Sequence, residues 1–372
     1  MASTNYLQKP NNNNNNNIVN GDGGGDDETF LFAEQLVYGA LVPMVMRAAI
    51  KLSVFEILSR APTAYLSASE IASQLSNNKN PDAHIILDRL LRFLASHSVL
   101  TCITQEINNT NNERLYGLAP VCKYFIKNED GASLCPSLLF ANGKISLDSW
   151  SYFHDTVLNP DFSAVDEVCG MDAYEYLAKD EELNELFNRS MSHETTIVMK
   201  KILNKYEGFD GLKVVVDVGG GVGTNIRMIV SKYPTIKGIN FDLPRVIETA
   251  SSYPGVEHVG GDMFVSVPKG DAIFMKLVLH NWKDEECVTL LKMCHEALPE
   301  RGKVIVVEGI VPEVPEPDNA TRHVYGFDIM MMATKAKERT EKEFQVLAKE
   351  SGFASMKMVC KACNFWVIEF LK

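Results

Sequence analysis

The run Val214-Val-Val-Asp-Val-Gly-Gly-Gly-Val-Gly-Thr-Asn225 constrains the fold of this chain more than any other stretch. Three β-branched residues open it and read as a strand buried on both faces, with Asp217 at its carboxyl end. Gly219, Gly221 and Gly223 follow. They permit a tight turn and a close approach of ligand to backbone, where a Cβ would collide. An apolar helical pattern then runs from about Val222 to Ser231. A strand, a glycine turn and a helix make the first unit of a nucleotide-type α/β fold.

The glycine spacing separates candidate ligands. A dinucleotide fingerprint, G-x-G-x-x-G, needs its third glycine at 224, where Thr224 stands. The pattern here is G-x-G-x-G with an acid two residues ahead, which resembles the first motif of S-adenosylmethionine-dependent methyltransferases. Two rivals are a nicotinamide enzyme and a tight βα turn without a ligand.

After Gly211 the pattern alternates, as in a mostly parallel sheet. Strands are expected near 213–217, 238–242, 257–261, 271–276, 303–308, 354–360 and 364–370, and the last two, briefly connected, pair antiparallel. Helices are expected near 222–232, 244–250, 284–298, 320–333 and 340–351. Ligands of such sheets bind at the carboxyl ends of the strands. Asp242 ends the second strand, placed to accept from both ribose hydroxyls. Asp262 follows the third, placed to accept from an adenine amino group, with Met263 against the ring. Glu308 ends the fifth. Three acids on one rim are hard to ascribe to solvation. His280 sits just past the fourth strand. A phenol has a pKa of about 10 and an imidazole about 6.5, so histidine is a workable base for making a phenolate at neutral pH.

Upstream, residues 1–28 hold an unbroken run from Asn11 to Asn17 and a Gly/Asp segment, read as a disordered tail. Residues 29–130 form a first domain. Phe32, Leu36, Val37, Ala40 and Met44 share a helical face that Pro43 should kink or break. Ser67-Ala-Ser-Glu70 has capping-box spacing, and Pro81 opens another helix. Strands at Val99–Ile103 and Arg114–Leu118 flank an Asn-rich turn. Helices followed by a hairpin resemble a winged helix. Residues 131–210 read as a helical connection that lines a pocket, with 160–170 a loop, and 211–372 as the catalytic domain.

The net charge of −12 argues against a nucleic-acid partner, so the apolar first helices fit a subunit interface better than a DNA-binding module. No apolar run approaches the ~20 residues of a membrane span. With polar leading residues, the eight cysteines are expected as thiols in a cytoplasmic protein. Cys360-Lys-Ala-Cys363 is the only C-x-x-C and is expected to pack rather than bind metal.

Residues 30–372 resemble plant small-molecule O-methyltransferases of the caffeic acid O-methyltransferase type. The strings are Arg114-Leu-Tyr-Gly-Leu-Ala-Pro120, Asp217 to Gly223, Gly238-Ile-Asn-Phe-Asp-Leu-Pro244, Tyr253-Pro-Gly-Val-Glu-His-Val-Gly-Gly-Asp-Met-Phe264 and Lys337-Glu-Arg-Thr-Glu-Lys-Glu-Phe344. The resemblance implies a homodimer with a winged-helix-like dimerisation domain and a Rossmann-like S-adenosylmethionine domain. It implies metal-independent transfer with His280 as base, held by Glu308 and Glu338. Gly219, Asp242, Asp262, Met263, Lys276 and Trp282 would meet the cofactor. Asn142, Leu147, Phe187, Met191 and Met331 would line a phenolic pocket.

Departures bear on the substrate. His280-Asn281-Trp282 stands where the family has His-Asp-Trp, and Leu277 where it has Trp. Glu194 stands where the family has a pocket histidine. Paired with an ammonium group, Glu194 would make the acceptor a phenolic amine, such as a phenethylamine or isoquinoline alkaloid. The alternatives are a solvated Glu194 with a caffeate-type phenylpropanoid or flavonoid acceptor, or N-methylation by the same frame. A cofactor-binding protein without catalysis is the remaining reading.

Overall fold

A computed structural model describes residues 24–108 and 111–372. Most of the expected tail lies outside the described residues, but its last part is helical. A helix Gly24–Val37 begins there, and a turn at 38–40 breaks it before a second helix, Leu41–Lys51. Pro43 falls in the first turn of that second helix, where its missing N–H has no intrahelical partner, so it starts a helix rather than breaking one.

Helices Val54–Ser59, Ala68–Ser73 and Ala83–Ser96 complete the first domain with strands β1 (Leu66–Ser67), β2 (Leu100–Asn108) and β3 (Asn111–Leu118). The third helix starts two residues after Pro81. The strands pair antiparallel in the order β1-β3-β2, giving the expected winged-helix-like shape. The capping box forms: Ser67 Oγ accepts from Glu70 N–H at 3.2 Å, and Glu70 Oε2 from Ser67 N–H at 2.7 Å. Phe55, Ile71, Leu91, Leu94 and Tyr116 form the domain's core.

The connecting region is helical, including Ala164–Cys169 inside the expected loop. Ser163 caps that helix through Asp166 N–H, and Gly170 stops it at φ 68°. Its longest element, Glu181–Leu203, packs on Cys135–Ala141 and on the sheet of the last domain.

That sheet has seven strands: β4 (Val214–Val218), β5 (Lys237–Asp242), β6 (Val256–Gly260), β7 (Ala272–Lys276), β8 (Lys303–Gly309), β9 (Ser355–Ala362) and β10 (Phe365–Leu371). Their order is β6-β5-β4-β7-β8-β10-β9. The first five strands of that order run parallel; β10 enters antiparallel between β8 and β9. Alternate residues feed two cores. Val216, Val218, Ile273 and Met275 meet Leu290, Leu291, Phe344 and Leu347 on one face, while Val215, Phe274, Ile305 and Val307 meet Met199, Ile202, Ile226 and Ile229 on the other. Burial on both faces explains the unbroken apolar strands. Among the described residues, no single helix is long and apolar enough to cross a membrane.

Candidate active site

Because β4 to β8 run parallel, their carboxyl ends share one edge, and the site is built along it. Gly219, Gly221 and Gly223 adopt left-handed φ values of 68°, 58° and 86°. The last of these delays the helix to Thr224, two residues beyond the expected start. A Cβ on Gly219 would lie 2.9 Å from Val278 Cγ2; one on Gly220 would lie 2.1 Å from Asn240 Oδ1 and 2.7 Å from Asp217 Oδ2. The turn is thus tightly packed at Gly219 and Gly220 and open at Gly221. Asn240, paired with Asp217 across the sheet, donates from Nδ2 to the Gly221 carbonyl at 2.9 Å. Asp242 Oδ2 accepts from Gly221 N–H at 2.8 Å, so this acid braces the turn as well as facing the edge. Asp217 is fully buried, and Asn225 and the Ile226 N–H approach its carboxyl without reaching full hydrogen-bond geometry. Burial pushes its pKa up to about 8.

Asp262 and Met263 follow β6, with Asp262 exposed and accepting from Phe264 N–H. Phe264 meets Trp282 edge-on at 4.7 Å between centroids, joining the segments that follow β6 and β7. Lys276, at the end of β7, is 8% exposed and donates to Thr195 Oγ1 at 3.3 Å; burial pushes its pKa down.

Beyond Lys276, Leu277 takes a left-handed φ of 55°, rare for a branched residue and a local source of strain. The chain then makes a 3₁₀ turn, Leu279–Asn281, that carries the buried His280. Glu338 Oε1 lies 2.6 Å from His280 Nδ1. Glu308 faces the ring at ion-pair distance and also bonds the backbone beneath it. Its Oε1 accepts from Val278 N–H at 3.0 Å and Leu279 N–H at 2.9 Å, while Oε2 stands 3.9 Å from Nδ1. It therefore holds the backbone of the turn. Burial raises the pKa of both Glu308 and Glu338 and lowers that of His280. The ligand atoms of these three residues fall within 4.8 Å of one another. With Glu338 ionised, Nδ1–H donates to it and Nε2 is left as the acceptor, the tautomer a general base requires.

Of the expected pocket residues, Phe187 meets Phe140 at 5.3 Å between centroids, and it shares the helix Glu181–Leu203 with Met191 and Glu194. Asn142 terminates Cys135–Ala141, its amide donating to Leu138 O and its carbonyl accepting from Arg47. Leu147 and Met191 are exposed. Met331 lies on Asn319–Met332, one turn beyond Phe327, whose ring sits 5.6 Å from that of His280. The sequence reading missed Phe327, although its i, i+4 spacing to Met331 was visible. Glu194 is half-buried and favours positive charge on Lys276 and His323. The thiols of Cys360 and Cys363 are free and half-buried.

The O-methyltransferase domain family matches residues 150–354, and the O-methyltransferase dimerisation domain family matches residues 34–128. The chain is 53% identical to caffeic acid 3-O-methyltransferase 2 of Ocimum basilicum, covering 93% of this chain and 96% of that protein. The chain belongs to the plant O-methyltransferase family. It is also 52% identical to esculetin O-methyltransferase of Kitagawia praeruptora, over 93% of this chain and 95% of that one. Among solved structures, human N-acetylserotonin methyltransferase in complex with SAM has the same fold, with a TM-score of 0.79, 21% identity and 94% and 99% of the two chains covered. The nicotinamide and non-catalytic readings fall away for this O-methyltransferase.

Proposed function

We propose that this O-methyltransferase methylates a catechol hydroxyl of a phenylpropanoid or hydroxycoumarin, with S-adenosylmethionine as donor, and works as a cytosolic homodimer. The acceptor class rests on the relatives, which are named for caffeic acid and esculetin. They favour this class over the phenolic amine expected from Glu194. The single observation that carries the chemistry is the buried His280–Glu338 pair on the same strand edge as the glycine turn.

The turn fits a cationic nucleoside. A Cβ on Gly221 would meet no atom within 4 Å, so backbone there faces open space, and the acids Asp217 and Asp242 stand beside the turn. Gly219, Asp242, Asp262, Met263, Lys276 and Trp282 would hold the cofactor. When bound, it supplies a methyl group activated on a sulfonium. His280 Nε2 takes the proton of the acceptor hydroxyl while Glu338 fixes Nδ1 and stabilises the imidazolium. Glu308 keeps the turn from drifting. Phe327, with the expected wall of Asn142, Leu147, Phe187, Met191, Glu194 and Met331, orients the ring so that the phenolate oxygen points along one line.

Mass-spectrometric assay of the purified protein with S-adenosylmethionine tests this against caffeic acid, esculetin and a phenolic phenethylamine. Methylation of at least one of the first two, faster than the amine, is expected. Turnover of the amine alone would sink the acceptor assignment.

A further inference from the structure

Among the described residues Arg339 is the largest fully buried side chain, and its one carboxylate partner among them is half-exposed Asp284. Its NH1 donates to Leu279 O at 2.7 Å and its NH2 to Trp282 O at 2.6 Å; Nε and NH2 both reach Asp284 Oδ1, at 2.9 and 2.7 Å. Leu279 and Trp282 flank His280. The intervening His280 carbonyl accepts from Lys337 N–H at 3.1 Å. Three consecutive residues thus grip one turn in three ways: Lys337 by its backbone, Glu338 by its carboxylate on the ring, and Arg339 by its guanidinium on the two outer carbonyls.

The gripping segment is itself anchored. Val311 N–H donates to Arg339 O at 3.0 Å, extending the line of β8 beyond Glu308, and Glu338 N–H donates to Asp328 Oδ1 at 2.9 Å. A buried guanidinium is costly unless its donors are paired, and four bonds meet that need here. A fold needing only to fill this space would do so with an apolar side chain. The fork geometry is what the two carbonyls use.

We propose that Arg339 is a positioning residue for methyl transfer, clamping the His280 turn onto the segment that carries Glu338 and so setting the His280–Glu338 distance. This inference rests on His280 acting as the base. The clamp is needed because the turn begins at strained Leu277 and would relax away from Glu338 without it. Charge adds a second effect. Around His280 stand Glu308 on β8, Glu338 on the following segment, Lys276 on β7 and Glu194 on the helix Glu181–Leu203, with Asp328 behind Glu338, and Asp284 and the Cys287 thiol near Arg339. Arg339 is a cation in this set and opposes protonation of the imidazole.

The test compares wild type, Arg339→Lys, Arg339→Gln and Asp284→Asn for kcat, KM, cofactor affinity by calorimetry, and the pH profile of kcat on a catechol. Arg339→Lys keeps the charge without the fork, and kcat should fall on the order of 10²-fold, with KM and cofactor affinity within about twofold. Arg339→Gln should lose as much and also move the acid limb to higher pH, because an imidazole without its neighbouring cation protonates sooner. If either folds with wild-type kcat and an unmoved acid limb, the inference is wrong. It is equally wrong if kcat, KM and cofactor affinity decline together in step with the folded fraction. Should neither fold, Asp284→Asn decides, since it loosens the clamp from its exposed side: a kcat drop of about threefold or more at constant KM supports the clamp, and no drop overturns it. Absent wild-type turnover would instead refute the proposed function.

Discussion

His280 is exposed to little water, and that sets its working range. The base acts as a neutral imidazole, so turnover is lost as pH falls through its pKa. Burial lowers that pKa, so the acid limb of kcat should lie below the ~6.5 of a free imidazole, read from turnover measured across pH. Replacing His280 by Ala should cut kcat about 10²–10⁴-fold and leave cofactor affinity nearly intact by calorimetry. Glu338→Gln keeps a side chain of the same shape but removes the charge that stabilises the imidazolium, and kcat should fall roughly 10–100-fold. At this scale the sequence displayed the identities of His280, Glu308 and Glu338. It could not show that Glu338 touches the ring while Glu308 bonds the backbone, because 58 and 30 residues of chain separate them from their partners in the fold.

The element that matters most is the strand, turn and helix around the three glycines. Gly219→Ala would put a side chain in a left-handed conformation and push on Val278, which begins the His280 turn. We expect cofactor affinity to fall at least about tenfold in calorimetry, with a loss of about 1 kcal/mol or more of stability in denaturant unfolding. Asp217 makes a second prediction. Its folded pKa of about 8 lies far above the unfolded value near 3.8, so the folded state binds the proton more tightly and stability drops as pH rises between those values. Asp217→Asn removes that penalty. Its melting temperature should exceed wild type at pH 7.5, by much less at pH 4, while cofactor affinity falls. The strands were legible because burial on both faces writes an unbroken apolar run. The helix Ala164–Cys169 was missed because six residues hold too few turns for a periodic signal, although Ser163 and Gly170 marked its ends.

Across the whole molecule, the paired helices Gly24–Val37 and Leu41–Lys51 present Phe30, Phe32, Leu36, Val37 and Leu41 to solvent in the single chain. Exposed apolar residues in this number call for a partner, and the match of residues 34–128 to a dimerisation domain supports a second copy in that role. Placing Asp at both Phe32 and Leu36 should raise the dimer dissociation constant on the order of 10²-fold, seen as monomer by light scattering at micromolar protein, with the melting of the sheet domain little changed.

By itself the sequence determined the α/β class, the cofactor turn and the identity of the base, since each is written in local spacing: glycines two apart, apolar runs of strand length, and acids at strand ends. The tertiary structure alone decided how the base is held. Arg339, Phe327 and the division of labour between Glu308 and Glu338 depend on contacts between segments distant in sequence. A buried guanidinium also reads in a sequence as one more surface charge until the carbonyls it satisfies are brought to it.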